Sequence, residues 1–393
     1  MVAAALTAGH AVRSLPLTER EPAPANFCEE SVMSFRRSSF LFTAFVLASL
    51  LTAPLAAAGD EDIPRTPSGR PDLSGNYDVA NLTPFERDPR FGDKEFMTAE
   101  EAEGIAAMMA AASAGANAVS DPDREAPPPG GDGSAGAAGA VGGYNFFWLD
   151  FGNQAYPIDG QYRTSVLTDP PNGRMPELTE TGKARRATVN PYLYKNTGDA
   201  WWIEAGDDPY DGPETLTPGD RCIYTSVATT PVRSLPYNNL KTITQTEDHV
   251  VILVEWMHWA KVVRLNAEHP PAEYRSMGGD SIGWWEGDTL VVETTNFLDS
   301  QSDPRDGLKV IERFSRHGAK DLLYGFTVHD TDYAAPYSGE LIWPGTDDLL
   351  YEYACHEGNY AMGNILRGAR LLEKEYYEKQ GQGVSTGSGS GRE

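Results

Sequence analysis

Cysteine is scarce in this chain and basic residues are outnumbered. The 393 residues include three cysteines, and 32 Lys and Arg stand against 57 Asp and Glu, a formal net charge of -25. Such an excess of negative charge repels phosphate backbones and anionic lipid, which sets aside nucleic-acid and membrane-surface binding and favours neutral or cationic ligands. Chemical motifs are equally sparse. The glycines of 278–283 do not spell GxGxxG; that spelling occurs at Gly131–Gly136 and GxSxG at Gly383–Gly387, both in Gly-rich low-complexity stretches and not between an expected strand and helix. There is no lysine-bearing phosphate loop, no HxH or HExxH, and no CxxC or CxxH spacing. Nucleotide cofactors, an elbow serine nucleophile and a zinc centre therefore have no sequence support, and the expectation is no cofactor and no metal. Long apolar runs are missing too, since the longest, Phe40–Leu51, has twelve residues against the roughly 20 that span a bilayer.

Material for a core is abundant, with 40% hydrophobic residues, 8 Trp and 18 Tyr, so wholesale disorder is excluded. The short apolar run follows Met33 and the basic pair Arg36-Arg37, and precedes Ala56-Ala57-Ala58. This order of basic, apolar and small residues is that of a secretory signal peptide, with Met33 as the expected start and cleavage expected after Ala58. A cytosolic extension on a membrane anchor is the alternative. Arg36-Arg37 lacks the full twin-arginine spacing. Cleavage would leave a periplasmic or secreted protein, with no membrane span and with Cys222 and Cys355 in an oxidising compartment. One long-range disulfide is expected there, and two separate buried thiols are the alternative.

The mature chain divides into a loop-rich N-terminal wrap and a β-rich domain. The wrap, residues 59–143, contains a first short strand near Tyr77 and a helix opened by the capping box Thr98/Glu101. Its end, 120–143, is a Pro/Gly/Ala insertion. Residues 144–375 alternate like strands joined by tight turns. Hairpins are expected for 249–256 with 261–265, for 282–286 with 289–297 across Gly287-Asp288, and for 309–316 with 322–330. A further strand is expected over 349–356, then a helix over 359–373 and a disordered tail from 376. Consecutive hairpins without intervening helices predict a mainly β protein, an antiparallel meander closed or nearly closed into a lipocalin-like barrel with peripheral helices.

Three strands carry one acid each among apolar neighbours: Val251, Leu253, Glu255; Val291, Glu293, Thr295; and Val310, Glu312, Phe314. If these faces line one interior, the carboxylates are partly desolvated and at least one can transfer protons near neutral pH. A solvated outer face is the alternative. Glu255 and Glu312 are the expected acid/base pair, His258 the proton shuttle beside them, and Arg264 or Arg313 an electrostatic stabiliser. Asp280, Glu293, Tyr237 and Asn238 are further candidate ligand contacts. Trp201, Trp202, Trp256, Trp259, Trp284 and Trp285 are candidates for a flat wall at a barrel mouth, with the stiff Pro231–Pro236 loop beside them. Each of these aromatics can equally be core, and His258 an ordinary structural side chain.

Asp72-Leu73-Ser74-Gly75, Asp169-Pro170-Pro171-Asn172-Gly173-Arg174, Pro236-Tyr237-Asn238-Asn239, the run from Trp285 to Phe297, Glu312-Arg313-Phe314 and the run from Cys355 to Tyr360 together resemble a family of exported bacterial β-rich proteins. The resemblance implies export and a shared β-rich domain, and it supplies no catalytic residues. Three readings follow for the chain as a whole. It is an exported enzyme doing cofactor-free acid/base chemistry on a small neutral molecule, a noncatalytic carrier of a small apolar or sugar ligand, or an envelope interaction module using exposed aromatics.

Overall fold

The computed structural model describes residues 63–118, 123, 149–189, 198–207, 209–226, 229–298 and 305–381, all within one unit spanning 57–393. The expected signal segment, nearly all of the Pro/Gly insertion and the chain beyond Gly381 lie outside the described residues. In chain order the elements are β1 (Gly75–Asp78), β2 (Phe96–Met97), α1 (Ala99–Ala116), β3 (Tyr162–Arg163), β4 (Leu167–Asp169), α2 (Glu180–Val189) and α3 (Trp201–Ala205). Next come β5 (Leu240–Gln245), β6 (His249–Val254), β7 (Trp259–Leu265), β8 (Asp280–Glu286), β9 (Thr289–Thr295) and β10 (Lys309–His317). The last are β11 (Asp321–His329), β12 (Tyr337–Trp343), β13 (Gly345–Thr346), α4 (Cys355–Gly358) and α5 (Tyr360–Lys379).

Eleven of the strands form one curled sheet in the order β13-β1-β5-β6-β7-β8-β9-β10-β11-β12-β4, a half-barrel. The three expected hairpins are its centre. Between β8 and β9, Gly287 holds φ at 61°, the positive value that the first central position of a type II′ turn needs. Alternation is cleanest in β11, where Leu322, Tyr324, Phe326 and Val328 point into the core and their neighbours point away. These side chains join Phe314, Tyr337, Leu341 and Trp343 in an aromatic-rich cluster, with Tyr324 stacked on Trp343 at 4.8 Å. Gly339 permits that packing, because a Cβ there would lie 2.5 Å from the Phe326 ring.

Several expectations are corrected. The sheet does not close into a full barrel. One run of chain serves both of its ends: β12 pairs with β11, and beyond Pro344 the two residues of β13 pair with β1. Along β12 itself the free edge is taken by β4, so β1 cannot pair with it. Nor is the sheet a pure antiparallel meander, since β7 and β8 run parallel, Val263 opposite Ser281. The long connection Asn266–Gly279 makes that possible, because parallel neighbours need a crossover of roughly a dozen residues or more. No strand forms over 349–356. Residues 349–354 are irregular and α4 follows, while two long strands were not expected, β5 and β12, the second because Gly339 interrupts an otherwise readable pattern.

The helices sit at the periphery. Thr98 and Glu101 complete the expected capping box of α1. Asn359 caps α5, which runs on to Lys379 and so occupies part of the stretch expected to be disordered. Trp202 and Ala369 meet in a small separate cluster that docks α5 against α3. Among the described residues, no helix is long and apolar enough to cross a membrane.

Candidate functional site

Two faces of the sheet divide the candidate residues. The inner face of β6 carries Val250, Ile252 and Val254, all nearly inaccessible, so the face shared by Val251 and Leu253 is the outer one. Glu255 lies beyond the strand, at the start of a tight 3-10 turn over Trp256–His258 in which Met257 and His258 hold φ of 59° and 49°. Its buried carboxylate accepts from the Leu240 N–H at 3.3 Å. Glu293 points outward. Only Glu312 of the three faces the core from its strand, at 0% exposure. The expectation that all three acids share one interior is therefore overturned, because each strand fixes its own inner face by where it meets the core.

Glu312 sits in a buried polar chain. It is ion-paired with Lys261 of β7, accepts from the Tyr324 hydroxyl at 2.8 Å, and that hydroxyl in turn accepts from the Val232 N–H at 2.9 Å. Burial, then the Glu312 charge, push the Tyr324 phenol well above its ordinary value. No hydrogen bond or ion pair joins Glu312, Glu255 and His258 through their side chains. His258 instead accepts from the Tyr353 N–H through Nε2 at 2.7 Å.

The outer face gathers three of the expected ligand contacts. Arg264 donates to both oxygens of Asp280 at 2.9 and 2.7 Å, and His269 is held between Asp280 at 2.6 Å and Glu293 at 3.3 Å. Lys309 reaches Glu293 at 3.5 Å. These charges answer one another on the face turned from the core. Arg313 is exposed and bound to Glu286 at 2.8 Å, likewise outside. Tyr237 stacks on Trp256 at 4.4 Å, and Tyr353 stacks on Trp256 at 5.5 Å. Asn238 occupies a left-handed turn position, φ 55°. Its neighbour Asn239 clamps the chain by bonding Asp150 and Leu235.

A cavity opens at the end of the inner face, with a volume of about 580 Å³, within the range of small-molecule sites. Val310, Val328 and Tyr337 form its sheet wall, Phe297, Leu298 and Leu308 one side, and the loop segments 217–226 and 230–233 the other. Glu312 lies one inward position beyond Val310 on the same strand. None of the six tryptophans expected at a mouth lines it. Trp202 docks α5 through Glu373, Trp259 packs edge-on to Tyr224, and Trp284 bonds Glu286. The aromatic walls come instead from Tyr224, Phe297 and Tyr337. Tyr337 was hidden in one of the missed strands. Tyr224 carried one signal, its place two residues after Cys222 in a loop that the disulfide pins. Pro231 does line the cavity, as the stiff-loop expectation required.

Cys222 and Cys355 are joined in a disulfide across 133 residues. That bond fits an exported protein. No group of three or more His, Cys, Asp or Glu among the described residues is arranged to hold a metal ion. Compared with known protein families, curated proteins and solved structures, the chain matches none.

A second buried lysine, Lys241 of β5, has 1% exposure and donates to the Leu240 carbonyl at 3.3 Å. Burial lowers its pKa to about 8, partly offset by the charges of Glu255 and Asp78. Between that value and the ordinary 10.5 the unfolded chain binds the extra proton, so stability rises with pH from about 8. Above 10 the buried phenols Tyr77, Tyr224 and Tyr337, each at about 12, act in the opposite sense. Urea unfolding of the native chain is expected to gain about 2 kcal/mol between pH 8 and 9.5, a gain absent in Lys241→Met. Equal pH slopes for the two proteins would contradict this assignment.

Proposed function

We propose that the protein is an exported carrier that holds a small, largely apolar molecule in the cavity at the open end of its half-barrel. The supporting observation is the separation of that cavity from the expected acid/base residues. The Glu255, His258 and Glu312 side chains are each engaged with other partners and do not bond one another, and none of the three lines the cavity, which is walled by Tyr224, Phe297, Leu298, Leu308 and Tyr337. Kinship with the exported β-rich family belongs to the same proposal. Its motifs fall at structural joints: the run from Trp285 to Phe297 spans the β8–β9 turn and β9, and the run from Cys355 to Tyr360 carries one half of the disulfide and the cap of α5.

Proton-transfer chemistry on a bound neutral molecule is the second reading. Its support is the position of Glu312, one inward step from Val310 of the cavity wall, with Lys261 and Tyr324 attached. The carrier reading is tested with the neutral fluorophore N-phenyl-1-naphthylamine. Saturable emission enhancement is expected with the native chain, and Leu298→Trp or Leu308→Trp, which fill the cavity from half-buried wall positions, should weaken it at least about tenfold. No saturable signal, or one indifferent to both variants, would rule the reading out. Native mass spectrometry of protein taken from its producing cells then identifies any resident molecule.

A further inference from the structure

The cavity holds one hydroxyl without a hydrogen-bond partner and one arginine without a carboxylate partner. Thr230, 9% exposed, has a buried hydroxyl oxygen with no hydrogen-bond partner. Native proteins rarely tolerate such a group, because an unpaired buried hydroxyl costs roughly 1–3 kcal/mol. The other group is Arg233, on the same loop. Its half-buried guanidinium lies 3.7 Å over the Phe85 ring, and it makes no ion pair among the described residues. Arg305, the second arginine of the cavity, is by contrast matched by Asp330 at 2.8 Å and Asp332 at 2.7 Å.

An arginine without a carboxylate is unexpected where acids outnumber bases 57 to 32. Held flat against an aromatic ring and partly desolvated, its planar fork is presented at little further entropy cost. Tyr337, whose hydroxyl accepts from the Arg233 side chain, adds a third group. Burial raises its phenol to about 12, with the Arg233 charge lowering it in part, so it remains a hydrogen-bond donor at neutral pH. Two donors and a fork thus border one largely apolar space.

The geometry points to a carboxylate as the polar end of the ligand: the cavity takes an apolar or aromatic monocarboxylic acid, its acid group between Arg233, Tyr337 and Thr230 and its body against Phe297, Leu298, Leu308 and Val310. This rests on the carrier reading and names the class of molecule carried. The overall negative charge of the protein does not oppose a single anion there, because surface charges farther than about 8 Å are screened at physiological salt whereas a half-buried fork is not, and Asp330, which also lines the cavity, is neutralised by its pair with Arg305. It does oppose polyanions.

The test is calorimetric titration of the full chain with naphthalene-2-acetate and decanoate, each against its primary amide. Each acid is expected to bind the native chain at least about tenfold tighter than its amide. Arg233→Met should reduce acid binding to the amide level while changing amide binding less than about twofold, and Thr230→Val should weaken the acid alone by several-fold. Equal binding of acid and amide by the native chain, or a preference that survives Arg233→Met, overturns the inference and leaves the carrier reading intact when N-phenyl-1-naphthylamine still binds. Failure of the neutral fluorophore together with both acids and both amides removes the two together. Circular dichroism of each variant separates lost contacts from lost fold.

Discussion

Glu312→Ala is expected to lower the unfolding free energy by about 3–5 kcal/mol, the range for breaking a buried ion pair from one side. The Lys261 and Glu312 side chains are 3% and 0% exposed, and they pair across the interior from β7 and β10. Removing the carboxylate strands an ammonium in the core and takes away the acceptor of the Tyr324 hydroxyl. Lys261→Met should cost a similar amount, because it leaves the anion buried alone. Replacing both partners by apolar side chains of similar volume, Lys261→Met with Glu312→Leu, is expected to recover most of the loss, since the desolvation cost of both charges disappears with them. Urea unfolding of the four proteins gives the coupling directly. Single variants that each cost less than about 1 kcal/mol would mean the pair is exchanging with water. The same set serves the second functional reading: an activity lost in Glu312→Gln with the fold intact would transfer weight from carrier to enzyme.

Opening the disulfide is the other large effect. In the chain-entropy account a loop of 133 residues contributes up to about 5 kcal/mol, and measured values for native bonds run from about 2 to 5. Cys222→Ser with Cys355→Ser is therefore expected to lower stability by about 2–5 kcal/mol. The loss should fall unevenly. Cys222 lies between Gly219 and Tyr224, both cavity-lining, and Cys355 leads into α4 and the cap of α5. Asn359 also bonds the Asp220 carbonyl at 2.7 Å, so one joint holds both the cavity loop and the start of α5. Hydrogen exchange should thus quicken in 217–226 and in α5 before the central strands, and probe affinity should fall by more than the change in global stability explains. Uniform exchange, with affinity unchanged, would show that the sheet alone positions that loop.

Much of the site was invisible for reasons that particular residues illustrate. Glu312 stood out as an acid on an apolar face, yet its partner Lys261 comes from a strand not adjacent to it in the sheet, and no spacing rule links the two. Arg264, Asp280 and Glu293 were recognisable as charged positions on strands and do gather, but around His269 and on the outer face. Thr230 and Arg233 carried no pattern. What distinguishes them, a hydroxyl without a hydrogen bond and an arginine without a carboxylate, exists only once every neighbour has been placed.

The sequence by itself determined the three central hairpins, the capped helix at Thr98 and a helix from about Asn359, and reduced the cysteines of the mature chain to one disulfide or two separate thiols. These depend on turn chemistry, local capping bonds and the count of available thiols, all readable within a few residues or by elimination. Tertiary structure alone decided which face of each strand is covered, the parallel seam between β7 and β8, the half-closed sheet and the cavity. Period-two alternation divides a strand into two faces without naming the inner one, and in β6 both Val250-Ile252-Val254 and Val251-Leu253 are apolar. The choice is made when distant strands pack, so the burial of Glu312 and the placing of Arg233 without a carboxylate are consequences of assembly.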